Sequence, residues 1–332
     1  MTTPPVRRGV PIVAACFVAM VGAILLAPLV GSTTISIARV FDRAVPFADN
    51  IDAQIFFIAR LPRAVAAALV GGTLAAAGVV FQGLLRNPLA TPYTLGVSAG
   101  ASLGAMVAIT FNLALPIGGV APASLAGATL AVAVVYALAT VRHRGFSTTV
   151  LLLAGVTLNA FFSALILFVQ YMGDFAQTYR ALRWLMGDLD VAGYTPILTA
   201  LPLVALAFVI FAWLARPLNL LSLGADAAST RGIDVVRAQR AAFFGASLAT
   251  GAAVSVGGPI GFVGIIVPHL VRLVVGSDHR LVLPASTFFG AAFLVGCDAV
   301  ARIVLAPIEL PVGIVTAIVG GPFFLWLLVR RR

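Results

Sequence analysis

The sequence predicts an all-α, polytopic integral membrane protein, one transmembrane domain over residues 1–332 with ten spanning helices and a short cytoplasmic helical element between the sixth and seventh. Three observations predict it. Hydrophobic residues make up 61% of the chain and charged ones 10%, with a mean hydropathy of +1.10, far from the roughly 25 per cent charge of soluble domains. The apolar residues gather into ten runs of spanning length separated by polar turns. The arginines between those runs fall mostly on alternate turns, as orientation in a membrane requires.

Arg7 and Arg8 precede an apolar run from Val10 to Val30. Its length fits a retained first helix and exceeds the apolar core of a cleaved signal. Residues 31–60 read as a polar loop with Asp42, Asp49 and Asp52. The second helix runs from Pro62 to Leu85, with proline in its first turn, where a missing N–H costs nothing. Within it, Gly71 and Ala75, and Gly72 and Ala76, place small residues four apart, a spacing that lets helix backbones approach closely in lipid. After the RNPLATP turn come a third helix from Leu95 to about Leu115, a fourth from Val120 to Val141 and, past RHRGFS, a fifth from Thr148 to Tyr171. The segment from Gly173 to Gly193, with Asp174, Asp188, Asp190, two arginines and Trp184, reads as an interfacial helix. A sixth span covers Tyr194 to Leu214 and a seventh Ala241 to Val256. GGPIGFVG interrupts the chain before an eighth ending near Gly276, a ninth covers Leu281 to about Leu305, and a tenth ends at Arg330.

The stretch from Arg216 to Arg240 joins the sixth and seventh spans and is richer than a plain connection. Leu220, Leu221 and Leu223 lead to Gly224, and Ala225 to Thr230 offer one or two helical turns before Gly232 breaks them. A short helix bounded by glycines and flanked by leucines is either a docking element that another protein surface covers or a plain polar loop between two spans. Its four arginines against two acids place it in the cytoplasm.

Charge bias supports the count of ten. Arg7, Arg8, Arg86, Arg142, Arg144, Arg216, Arg231, Arg237, Arg240, Arg272, Arg280 and Arg330 to Arg332 fall on one side, and the remaining seven of the 21 basic residues on the other. The first side is the inside, with both termini. Adding or removing one helix would mix the two sets. The net charge of +10 is thereby explained by orientation, with no need for nucleic acid.

Several functions are excluded by what the chain lacks. All 21 basic residues are arginine. Without lysine there is no Walker-type phosphate loop, so any ATP chemistry belongs to another chain. Cys16 and Cys297 lie in apolar runs and suggest neither disulfide nor metal site. An ion-coupled transporter needs an ionisable group near the midplane. Asp298 instead falls near the outer end of its helix, where Arg302 four residues on can pair with it, and Glu309 lies in a turn. His143, His269 and His279 assemble no catalytic or metal-binding cluster.

Six blocks in order, RLPRAVAAALVGG (60–72), RNPLATPYTLGVSAGA (86–101), LLLAGV (151–156), GFVGIIVPHLVR (261–272), DHR (278–280) and ELPVGIVTAIVGGPFFLWLL (309–328), resemble the permease subunits of type II ABC importers for iron-siderophore complexes, haem and vitamin B12. The resemblance implies a bacterial inner-membrane homodimer, two ABC ATPase subunits inside and a solute-binding protein outside. ATP and Mg would be held by the ATPase, leaving no cofactor, metal or catalytic residue on this chain. It makes Gly224, Ala225, Asp226, Ala228, Arg231 and Gly232 the counterpart of a pair of short helices that sit in a groove of the ATPase. It assigns Arg60, Arg63 and Arg302 to docking of the binding protein, and Asn87, Leu89, Ser147 and Thr148 to an inner gate. The cargo would pass between the two permeases, with the fifth helix prominent in the lining. An iron chelate is the expected cargo and cobalamin the alternative; Arg180 and Arg183 are available to meet haem propionates or to anchor at the interface.

Overall fold

A computed structural model describes residues 6–113, 119–141, 148–191 and 193–330, and every regular element among them is helical. The α-helices are α1 (Val6–Leu26), α2 (Ile37–Val40), α3 (Ile51–Gln54), α4 (Leu61–Leu85), α5 (Val97–Thr110), α6 (Val120–Val141), α7 (Thr148–Tyr171), α8 (Phe175–Leu185), α9 (Thr195–Leu221), α10 (Ala225–Ser229), α11 (Val235–Gly257), α12 (Val263–Val275), α13 (His279–Ala301) and α14 (Val312–Arg330). A helix stands at each position where the sequence predicts a span. Six stretches are long and apolar enough to cross a membrane: Gly9–Leu29, Ile51–Leu85, Val120–Thr140, Thr149–Tyr171, Thr195–Leu221 and His279–Ala301. The helices α5, α12 and α14 are apolar but shorter, and α11 is long but carries Arg237 and Arg240 near its start.

The helix α4 is the hub. It packs against α13, α11, α12 and α9, and its side chains from Gly71 to Phe81 are all buried. Small residues make this possible. A Cβ on Gly71 would stand 2.4 Å from the Gly290 carbonyl oxygen of α13, and one on Gly78 would stand 2.1 Å from the Gly264 carbonyl oxygen of α12. Only glycine permits backbones that close, and close backbones supply the dispersion contacts that hold helices together where lipid is as apolar as they are.

Four boundaries differ from expectation, each for a local reason. Residues 31–60 are not all loop: a 35-residue helical stretch enters α4 from Ile51 through a wider π-type segment, Ile55–Arg60. Pro62 has no N–H for the carbonyl four residues back, and the wider turn lies where that bond would be missing. The third span is shorter than expected, because Thr91 and Thr94 cap a 3₁₀ turn over Pro92–Leu95 and Gly96, at φ +75°, redirects the chain. The helix α9 runs through Pro217 to Leu221. The helix α11 starts at Val235 rather than Ala241, because Asp234 caps it by accepting from the Arg237 N–H at 3.0 Å.

The two ends of the bundle sort as the charge bias predicts. Arg63 meets Asp298 and Glu309, and Arg302 reaches the carbonyls of Ala27 and Val30. At the other end Arg272 donates to the Gln82 side chain, and Asn219 meets Asp278 and His279.

Candidate functional site

The first candidate site is built on the connection between α9 and α11. Ser222 follows α9, Gly224 at φ +121° turns the chain, and α10 occupies Ala225–Ser229. Gly232 at φ +79° ends the excursion. Both conformations are strained for residues with a Cβ. The element is held from below by Ala228, which is wholly buried and whose carbonyl accepts from the Arg231 and Ile233 N–H groups at 3.1 Å each. Above, Asp226, Ser229, Thr230, Arg231 and Gly232 are exposed, Ala225 is half-buried, and Leu223 is 61% exposed. The expected short helix is present; the resemblance's pair becomes one, since the chain beyond Asp234 is already the first turn of α11.

What lies beneath the loop is tied together by side chains. The Arg237 guanidinium rests 5.9 Å from the Trp213 ring centre, tying α11 to α9. Asn219 near the end of α9 donates from Nδ2 to Asp278 Oδ1 at 2.6 Å. Its Oδ1 accepts from the His279 backbone N–H at 2.9 Å and lies 2.7 Å from His279 Nδ1. A carbonyl oxygen only accepts, so the contact puts the imidazole proton on Nδ1.

At the outer end the three arginines assigned to docking come together, as topology predicts, but not as free surface cations. Arg60, Arg63 and Arg302 are 7%, 7% and 2% exposed. Arg60 donates to the carbonyls of Pro28 at 3.1 Å and Thr33 at 2.5 Å. Arg63 pairs with Asp298 at 2.8 Å and Glu309 at 2.5 Å, and Arg302 with Asp298 at 3.1 Å. Each guanidinium already has internal acceptors, because an unpaired charge buried among helix ends costs several kcal/mol. The i,i+4 pair of Asp298 and Arg302 is present as expected. The link from Arg63 to Asp298 across 235 positions was legible only as the rule that an ionisable residue in an apolar run needs a partner.

Of the assigned inner-gate residues, Asn87 forms a tight turn, its Oδ1 accepting from the Leu89 N–H at 2.9 Å, directly after Arg86 ends α4 at φ +48°. Leu89 is 46% exposed. Thr148 begins α7, and Ser147 lies outside the described residues. The far-side pair separates: Arg183 meets Asp188 at 2.7 Å, while Arg180 is in no ion pair among the described residues.

A bundle of apolar helices around a small-residue hub, with a glycine-bounded helix exposed at one end and a buried ion cluster at the other, defines a polytopic membrane protein. Comparison with known proteins makes the class specific. The chain belongs to the FecCD transport family, whose model matches residues 18–330. It is 46% identical to a cobalamin import system permease of Halobacterium salinarum over 82% of this chain and 73% of that one. It is 39% identical to a hemin transport system permease of Yersinia pestis over 82% of both. Among solved structures, one described as a metal-chelate type ABC transporter in an inward-facing conformation matches with a TM-score of 0.85 and 30% identity, over 96% of this chain and 99% of that one.

Proposed function

We propose that the chain crosses the bacterial inner membrane ten times with both termini in the cytoplasm. It works as a homodimer with two ABC ATPase subunits inside and a solute-binding protein outside, importing an iron chelate, either a ferric siderophore or haem. The observation that carries this reading is the end-to-end fold match to a metal-chelate transporter, 96% of this chain against 99% of that one. The hemin permease among the relatives supports the same cargo class. ATP and Mg are bound by the ATPase subunits. The segment Gly224 to Gly232 presents Asp226 and Arg231 to the ATPase, while Ala225 and Ala228 seat the helix on α9 and α11. Asn87, Leu89, Ser147 and Thr148 close the inner mouth of a path lined by α7. The arginine cluster takes part in docking only by exchange: a carboxylate of the binding protein replaces Glu309, whose side chain is 36% exposed, on Arg63.

A second reading, cobalamin, is favoured by one observation, the 46% identity to a cobalamin permease against 39% to the hemin one. Reconstituting the complex in liposomes with its binding protein separates them. An iron chelate should raise ATP hydrolysis and accumulate inside. Stimulation by cobalamin alone would replace the first reading with the second, and stimulation by neither would remove both.

A further inference from the structure

From the groove between α9 and α13 we infer that the chain holds an anionic phospholipid of the inner leaflet, its phosphate on Arg280 and one acyl chain between the helices. The groove has a volume of about 510 Å³, walled by Phe208, Phe211 and Ala215 of α9 and by Leu283, Pro284 and Phe288 of α13. Asn219 near the end of α9 is bonded to Asp278 and His279 at the start of α13, so the two helices run antiparallel, and the α9 wall from Ala215 back to Phe208 faces the α13 wall from Arg280 on to Phe288. The groove thus runs about 12 Å along the helices at 1.5 Å per residue, apolar along its length and cationic at one end.

Two features of that end select the ligand. Arg280 is exposed, is in no ion pair among the described residues, and sits in the first turn of α13. There the helix dipole disfavours a cation, so the charge does not serve the helix. Arg216, next to Ala215, is exposed at the same level and adds a second positive charge. The one acid nearby, Asp278, is occupied by capping α13 and by the Asn219 amide. Pro284, in the groove wall, has no N–H to give to the Arg280 carbonyl four residues back. A phosphodiester with a hydroxyl-bearing headgroup answers both features: phosphate oxygens accept from the guanidinium, and the hydroxyl donates to the carbonyl. The apolar walls require that this phosphate carry an acyl chain. A positive end on the cytoplasmic side is also where anionic lipid is drawn to arginine.

The inference rests on the membrane orientation proposed above but not on cargo or partners. Native mass spectrometry of the full-length protein in mixed micelles tests it, with phosphatidylglycerol and phosphatidylcholine as probes. Phosphatidylglycerol should be retained preferentially. Arg280→Gln should weaken that retention about fivefold, the worth of one arginine at an anionic surface, and Ala215→Phe, which fills the groove, should weaken it as much. Arg240→Gln should change nothing. Equal retention of the two lipids by the wild-type protein would overturn the inference whatever the variants do. So would unchanged retention in Arg280→Gln, displacement of the lipid by inorganic phosphate, or a disulfide between two copies of Ala215→Cys, which would make the groove a contact between chains. Loss of transport with normal lipid retention would count against the function reading and leave this one standing.

Discussion

Replacing Asp298 with alanine tests whether the outer arginine cluster is structural. The carboxylate is wholly buried and takes Arg63 Nε at 2.8 Å and Arg302 Nε at 3.1 Å. Without it, Arg63 keeps Glu309, while Arg302 keeps only neutral carbonyls, those of Val30 at 2.7 Å, Ala27 at 3.1 Å and residue 298 itself at 3.4 Å. Three buried cations are then answered by one acid. Removing one partner of a buried pair costs about 3–5 kcal/mol, and the remaining acceptors place this variant near the lower end, about 3 kcal/mol. Glu309→Ala removes a partner whose side chain is 36% exposed, so solvent takes its place and the cost falls to about 1 kcal/mol or less. Joint replacement of Asp298 and Arg302 by leucine and methionine should recover part of the loss, since no stranded charge remains there. Thermal denaturation of detergent-purified protein, followed by loss of the monodisperse chromatographic peak, ranks the variants. Asp298→Ala should melt several degrees below wild type and Glu309→Ala close to it. Equal melting of Asp298→Ala and wild type, or a larger fall for Glu309→Ala, would refute the structural role and return the arginines to the surface.

Gly232→Val should fold, because a Cβ there meets nothing within 4 Å, but strain at φ +79° shifts the loop by about 1–2 kcal/mol; copurified ATPase and transport should both fall, and normal values of both would refute the coupling assignment. Gly78→Leu should abolish folded protein, since its Cβ would lie 2.1 Å from backbone, whereas Gly22→Leu, with nothing within 4 Å, should express normally; equal yields by fluorescence-detected chromatography would remove the close-packing argument. The purified chain without partners should hydrolyse no ATP above a detergent blank, because no lysine exists to build a phosphate loop; a saturable rate would overturn that.

Much of this was legible in the sequence because membrane helices announce themselves by length and apolarity. The bounds of α6 and α7, at Val120–Val141 and Thr148–Tyr171, follow from runs that end in charged turns. The glycine-bounded helix at Ala225–Ser229 was equally readable, since a glycine on each side leaves few residues to be helical. Less legible was whatever depends on a distant partner. Arg60, Arg63 and Arg302 meet at one end of the bundle as topology predicts, but sequence distance hides that Asp298 and the chain around Val30 arrive there too. The start of α11 was missed although Asp234 is an ordinary cap, because the apolar run begins only at Ala241 and the first turns are held by Trp213 and by Asp234.

The two ends of the bundle hold their polar residues by different means, and this bears on which end can move. At the Asp298 end, buried ion pairs join α4, α13 and the turn before α14, and separating them strands charges in a medium that cannot solvate them. At the Asn219 end, the links are single side-chain amides: Gln82 between α4 and α12, Asn219 between α9 and α13. Each amide meets one charged group, the Arg272 guanidinium or the Asp278 carboxylate, in a hydrogen bond worth about 1.5–3 kcal/mol, below the roughly 3–5 kcal/mol of breaking a buried ion pair. The exposed segment from Gly224 to Gly232 hangs on this softer end, with Asn219 five residues before it. A displacement of α10 would therefore be taken up first by the amide links between α9 and α13, and the ion-paired cluster at the other end would follow as one body.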